Sequence, residues 1–409
     1  MASPASDQTY PTGIQLTVFD PDFRADPYPV LARTREKAPI HFNEMLGSWI
    51  FTRHDDVLAI LRNPDFVSDP RKANPDSFYF KVLGGATNEE PSMLLMDDPG
   101  HRRLRELVRH PFAPRAIERW RDRARTVARR YVDALPEDEF DLIEAVANPV
   151  PTVVIAELLG LDPERHEDFK TWSDAIVKTA FSVVKDPAAT ARSDAARESL
   201  SAFFLEEIDK RRSEPSDDLI TAMTNAEESG DRLTDHEIVL QCNLLLLAGN
   251  LTTSDLISNA VMALVRHPEQ QAKLRGDRSL MKNAVEEVLR YDTPVTNSGR
   301  IAHDAIEIGG FNIPQGSALS VSLAAANRDP AAYPEPDRFD ILRKDTHHQA
   351  FGGGRHFCLG AHLARLEAAE TLDALLDRFS SLERGEGPCE YAANQTFRGL
   401  STFALRGRH

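Results

Sequence analysis

Residues 351–365 read Phe-Gly-Gly-Gly-Arg-His-Phe-Cys-Leu-Gly-Ala-His-Leu-Ala-Arg. Three glycines, Gly352, Gly353 and Gly354, give way around Cys358 to an apolar stripe of Leu359, Leu363, Leu366, Leu372, Leu375 and Leu376, spaced as in an amphipathic helix. A cysteine at that junction precedes N–H groups that lack partners within the helix, and the helix dipole favours negative charge there. Both effects favour the thiolate, which is the metal-binding form. The flanking glycines let the backbone approach something large and flat. The plainer alternative is a buried cysteine in a glycine-rich turn.

The spacing F-x-x-G-x-H-x-C-x-G, carried by Phe351, Gly354, His356, Cys358 and Gly360, resembles the haem-binding loop of the cytochrome P450 family. The resemblance implies a mainly α fold of many helices with a smaller β-rich portion, as one domain over residues 1–409. It also implies haem b (iron protoporphyrin IX), with Cys358 as the axial thiolate whose electron donation favours O–O cleavage.

Thr234-Asp235-His236-Glu237 is a capping box, with Thr234 at the N-cap and Glu237 at N3. It opens the longest helical pattern in the chain, which ends near Arg266, before His267-Pro268. Midway along it, Ala248 and Gly249 are small enough for a flat cofactor to pack closely. Gly249 and the hydroxyls of Thr252 and Thr253 can open the backbone ladder locally. This stretch resembles the family's A-G-x-[D/E]-T-T oxygen-binding segment. Thr252 then matches the alcohol that manages oxygen and protons, but Leu251 stands where the acid is expected. Asn250 or Asp255 are candidates to take over that role, the bland reading of Asp255 being a surface acid or a structural ion pair.

His101 and Arg105 lie four residues apart on a helix opened by Asp98-Pro99-Gly100, hence on one face. The resemblance makes them donors to the haem propionates, together with Arg300 and His356. It also makes Glu287, Arg290 and Arg338 a buried ion network that braces the fold. The expected substrate-facing positions are Phe78, Leu95, Phe181, Leu244, Val295, Asn297 and Phe397, with Phe80 and Val82 beside Phe78.

Composition bounds the partners. The formal charge of −16 argues against nucleic acid, because phosphate contacts need a basic surface. Three cysteines, Cys242, Cys358 and Cys389, are too few for a disulfide framework and point to a reducing, cytoplasmic setting. The N-terminus has neither a basic start nor an apolar run, and no stretch approaches a membrane span. From His101 to Arg130 eleven arginines stand against three acids. That is either a pair of solvated helices or a basic patch able to steer an acidic partner.

The reading that follows is a haem-thiolate monooxygenase inserting one oxygen atom from O2 into a hydrophobic small molecule. No flavin or iron–sulfur segment is evident, so a separate ferredoxin and ferredoxin reductase are the expected electron source, docking with help from Arg102, Arg103 and Arg109. The rivals are a peroxide-driven haem-thiolate enzyme, suggested by Leu251, and a haem-binding sensor or carrier without turnover.

Overall fold

The capping box forms as its sequence predicts. The Thr234 hydroxyl accepts the Glu237 N–H at 3.2 Å, and the Glu237 carboxylate accepts the Thr234 N–H at 2.8 Å. The central helix it opens, Asp235–Arg266, spans 32 residues in this computed structural model, which describes residues 17–83, 92–162, 165–179, 186–228 and 230–408. From Thr253 to Leu264 every residue is buried, as expected of a helix enclosed on all sides. Around it pack Pro149–Leu158, His166–Thr179, Pro187–Ser213, Met281–Tyr291 and the helix after Cys358, Ala361–Arg378.

Pro114–Glu118 and Arg121–Asp133 are separate helices that meet at Arg119-Trp120. The helix Pro149–Leu158 follows a π-helical turn over Ile143–Ala147. Proline tolerates a first helical turn, where its missing N–H is no loss. Among the described residues no helix is long and apolar enough to cross a membrane.

The β-rich portion lies beside the helices. A five-stranded sheet runs in the order Ile40–Asn43, Ser48–Phe51, Ala318–Ser322, Asn297–Ala302, Phe66–Val67. All its pairs are antiparallel except Ser48–Phe51 with Ala318–Ser322. Ser381–Tyr391, Leu400–Arg408 and Glu139–Asp141 form a second sheet. Val295 and Phe397 pair across an isolated antiparallel bridge, so the C-terminal segment meets the strand that carries Arg300.

The bracing ion network differs from the sequence expectation in one member. Glu287 and Arg290 are fully buried and joined by two 2.8 Å bonds. Arg290 also donates to the carbonyls of Asn327, Pro336 and Arg338. Arg338 supplies only that carbonyl: its guanidinium is 55 % exposed and turns out to Glu335 and Asp340. Arg343 takes its place, with Nε 3.2 Å from Glu287. The turn that aims the Arg338 carbonyl inward faces its side chain to solvent.

Candidate active site

Cys358 stands between the 3-10 turn Gly354–His356 and the helix Ala361–Arg378. Gly352 and Gly354 adopt φ of +68° and +64°, where glycine alone is unstrained. A Cβ on Gly354 would come within 2.3 Å of the Leu61 carbonyl oxygen. The Cys358 N–H donates to Phe351 O at 2.9 Å, closing the loop, and the Gly360 N–H donates to the sulfur. Arg365 lies 4.3 Å over the Phe351 ring and donates to Glu286 at 2.9 Å.

The exposure of the Cys358 side chain is exposure to an internal cavity; elsewhere protein surrounds it. That enclosure strips water from the sulfur and raises its pKa, while the Gly360 N–H, Arg105 and Arg365 act in the opposite direction. The cavity holds about 440 Å³ and is walled chiefly by leucines, with Val295 and Phe397.

On one side of the cavity four nitrogen-bearing side chains converge. His101 is 2 % exposed, and its ring lies 4.2 Å from that of His356. Neither His101 Nδ1 nor His356 Nε2 has a hydrogen-bond partner; Asp98 Oδ1 stands 3.5 Å from the former. Arg105 donates to Phe357 O at 2.7 Å. Arg300, buried on its strand, donates to Gly299 O and Ser298 Oγ. Burial lowers the proton affinity of all four. Neighbouring cations add to this at both histidines, and the pKa of His356 falls to about 2. Two unpartnered histidine nitrogens beside the buried Arg300 and the half-buried Arg105 guanidiniums suit anions. The two propionates of a haem held by Cys358 fit that need through charge-assisted bonds.

Across the cavity the central helix presents Ala248, Gly249, Leu251 and Thr252. The Thr252 hydroxyl donates to Ala248 O at 2.7 Å, so the side chain bonds back to the helix, which remains continuous. Asn250 and Asp255, the expected stand-ins for the missing acid, do not line the cavity. Asn250 is buried against the neighbouring helix and donates to Ser173 Oγ at 3.2 Å. Asp255 faces Gly399, with Oδ2 unpartnered, and burial followed by repulsion from Asp292 raises its pKa to about 8. At about 100° per residue Asn250 points nearly opposite to Thr252, whereas Asp255 is only about 60° from it and is held by its packing against Gly399.

Of the expected substrate positions, Leu95, Leu244, Val295, Asn297 and Phe397 line the cavity. Phe181 and the side chain of Phe78 lie outside the described residues. Tyr79 takes part instead, packed so closely on Gly299 that a Cβ there would be 2.0 Å from its ring. Glu367 also lines the cavity and was not anticipated. Its signal was an acid one helical step past Leu359 and Leu363, on the apolar stripe.

The arginine-rich stretch is largely neutralised by acids. Arg103 is held by Asp231 and Glu237, Arg109 by Glu106, Arg121 by Glu118 and Glu370, Arg123 by Glu157, Arg125 by Glu370, and Arg129 by Asp377. Arg102 is exposed and has no ion pair among the described residues.

Comparisons with known proteins converge. A family model described as Cytochrome P450 matches residues 57–398. Cytochrome P450 107B1 of Saccharopolyspora erythraea is 38% identical over 405 residues, covering 96% of this chain and 97% of that protein. The 6-deoxyerythronolide B hydroxylase of the same organism is 38% identical over 374 residues, covering 89% and 91%. The structure of CYP109E1 from Bacillus megaterium in complex with testosterone superposes with a TM-score of 0.85 at 30% identity, covering 94% of this chain and 100% of that one.

Proposed function

This chain belongs to the cytochrome P450 family, as a haem b-binding oxidoreductase of the bacterial monooxygenase type, and on that premise we propose that it places one atom of O2 into a bulky hydrophobic small molecule, drawing electrons from a separate ferredoxin-type protein in the cytoplasm. The observation that carries the proposal is the single cavity of about 440 Å³ that Cys358, His101, His356 and Thr252 line together. That volume is shared by haem and substrate. One relative is named a 6-deoxyerythronolide B hydroxylase and one solved structure is a complex with testosterone, and both support a large apolar substrate.

When bound, a thiolate-ligated haem supplies the O–O cleaving chemistry. The residues divide the remaining work. Cys358 Sγ would ligate the haem iron, and His101, Arg105, Arg300 and His356 would hold the propionates. Leu95, Leu244, Val295 and Phe397 exclude water and seat the substrate, while Asn297 offers a polar contact. The Thr252 hydroxyl holds a proton at the cavity face of the central helix. The unpaired, exposed Arg102, on the helix that also carries Arg105, supplies positive charge for the electron donor.

Leu251 favours a second reading, a peroxide-driven enzyme. Purified protein is to be reduced under carbon monoxide, where a far-red-shifted Soret band reports the thiolate. Turnover of a spectrally selected ligand is then compared with ferredoxin, reductase and NADH against turnover with peroxide. Product from peroxide alone would replace the first reading with the second. Haem without any product would leave a sensor or carrier.

A further inference from the structure

Glu286 and Glu287 are neighbours on the helix Met281–Tyr291 but face different parts of the fold. Glu287 takes Arg290 and Arg343, whereas Glu286 turns to the cysteine loop. Its carboxylate accepts the Nε2–H of the buried His348 at 3.2 Å and the Nη2–H of Arg365 at 2.9 Å, with Arg365 Nε on its other oxygen. His348 Nδ1 accepts the Ala350 N–H at 3.2 Å, which places the ring proton on Nε2 and leaves the ring neutral. Burial raises the pKa of Glu286, but the bonds from His348 and Arg365 outweigh it and bring the value down to about 2. Glu286 and Arg365 therefore form an ion pair, with His348 as a neutral donor to the same carboxylate.

Arg365 follows Cys358 on the helix Ala361–Arg378. Its Nη1 donates to Ala361 O at 3.1 Å, and its guanidinium packs over the ring of Phe351, whose backbone carbonyl accepts the Cys358 N–H. Arg105 and Arg365 are the cations whose charge acts on the Cys358 sulfur. They differ in place: Arg105 lines the cavity, and Arg365 does not. Arg365 thus acts on the sulfur from outside the cavity. Its side chain is 26 % exposed, so a guanidinium released from its carboxylate would turn to water, where its charge counts for far less.

Resting on the haem-thiolate reading above, we infer that Glu286 is a positioning residue for Cys358: it clamps the Arg365 guanidinium against Phe351, so that a fixed positive charge tempers the electron donation of the thiolate. A cation held there favours the state that carries one more electron, and so raises the reduction potential of the iron the sulfur ligates. His348 shares the hold, because its bond keeps Glu286 turned to the loop. Neither Glu286 nor Arg365 lines the cavity, so Glu286 acts only through Arg365.

Spectroelectrochemical titration of the holoenzyme tests the assignment. Arg365→Gln removes the cation, and the ferrous-to-ferric ratio at a fixed potential should fall roughly threefold to tenfold, a tenfold fall being about 59 mV for one electron. Glu286→Ala separates holding from charge. Acting through its own charge alone, the lost anion would move the potential upward; acting through Arg365, its loss should move the potential downward, as in Arg365→Gln. The double variant should match Arg365→Gln, since the two residues work as one unit. Glu286→Asp keeps the acid and should stay close to the parent. Should Glu286→Ala fail to fold, Glu286→Leu fills the same space without an acceptor and carries the same expectation. An upward shift in Glu286→Ala, a further fall in the double variant, or an unchanged potential in Arg365→Gln would each overturn the inference. So would loss of the thiolate Soret band in these variants under carbon monoxide, which would make the pair a brace for the loop and not a holder of charge. Turnover plays no part in these readings: a parent that binds haem and makes no product fails as a monooxygenase, and the potentials still decide the role of Glu286.

Discussion

Asp255 and Gly399 meet in the interior so closely that a Cβ at 399 would lie 1.7 Å from the carboxyl Oδ1. The neighbouring Asp292 is already committed to Arg398 and to the Tyr28 hydroxyl, so Asp255 finds no cation. With its pKa raised to about 8 when folded and about 3.9 when unfolded, it carries a definite sign. Below about pH 4 both states are protonated and the group is neutral to stability. As pH rises from 4 to 8 only the unfolded state ionises, so stability falls by at most about 1.4 kcal/mol per pH unit and then levels off. Asp255→Asn should remove that slope and gain stability over the parent between pH 5 and 8 in thermal unfolding. A parallel pH profile for the two proteins would show that Asp255 is ionised in the fold. At Thr252 the prediction concerns coupling: Thr252→Ala should raise the peroxide released per NADH consumed. Coupling equal to the parent would make the hydroxyl a helix-bonding group only.

At the scale of elements, the helix Met281–Tyr291 is tied to the segment 334–343 through Glu287. Deleting that carboxylate in Glu287→Leu strands Arg290 and Arg343 and should cost about 3–5 kcal/mol in denaturant unfolding. Arg343→Ala should cost a substantial part of that. Arg338→Ala should stay within about 0.5 kcal/mol, because its side chain is at the surface and its carbonyl survives the change. Equal losses for Arg338 and Arg343 would restore the pairing expected from sequence. That expectation was reasonable, since both arginines lie within a few residues of Glu335-Pro336-Asp337. Which of them turns inward is set by a loop in which Glu335 takes φ of +46°, and no side-chain spacing announces it. By contrast the capping box was readable to the residue, because every bond in it joins positions within one helical turn.

Across the whole molecule, the fate of the arginine-rich stretch decides how an electron donor docks. Arg103 bridges the helix Gly100–Val108 to Asp231 and Glu237, so it serves the fold first. Arg102→Glu should slow reduction by ferredoxin, with the effect shrinking as salt rises, because screening reaches about 10 Å at 0.1 M. Arg103→Glu should instead lower stability, as it opposes two acids with a third. Stopped-flow reduction at two ionic strengths separates the cases. A rate unchanged by Arg102→Glu at low salt would place the donor elsewhere.

The amino-acid sequence by itself determined the family and the long central helix, and it singled out Cys358, His101, Arg105, Arg300 and His356, which the fold brings to one cavity. Each rests on a spacing a few residues wide, and local geometry turns such spacings into structure without help from the remainder of the chain. Tertiary structure alone decided which polar groups on the central helix face the cavity. Asn250 and Asp255 sit within three residues of Thr252, yet neighbouring packing fixes the rotation of the helix and turns both away. It alone decided that the arginines are mostly paired, since partners such as Glu370 and Asp377 lie more than two hundred positions along the chain. And it alone left Glu367 without a cation beside the cavity, a fact about what surrounds a side chain that no pattern of neighbours in sequence can carry.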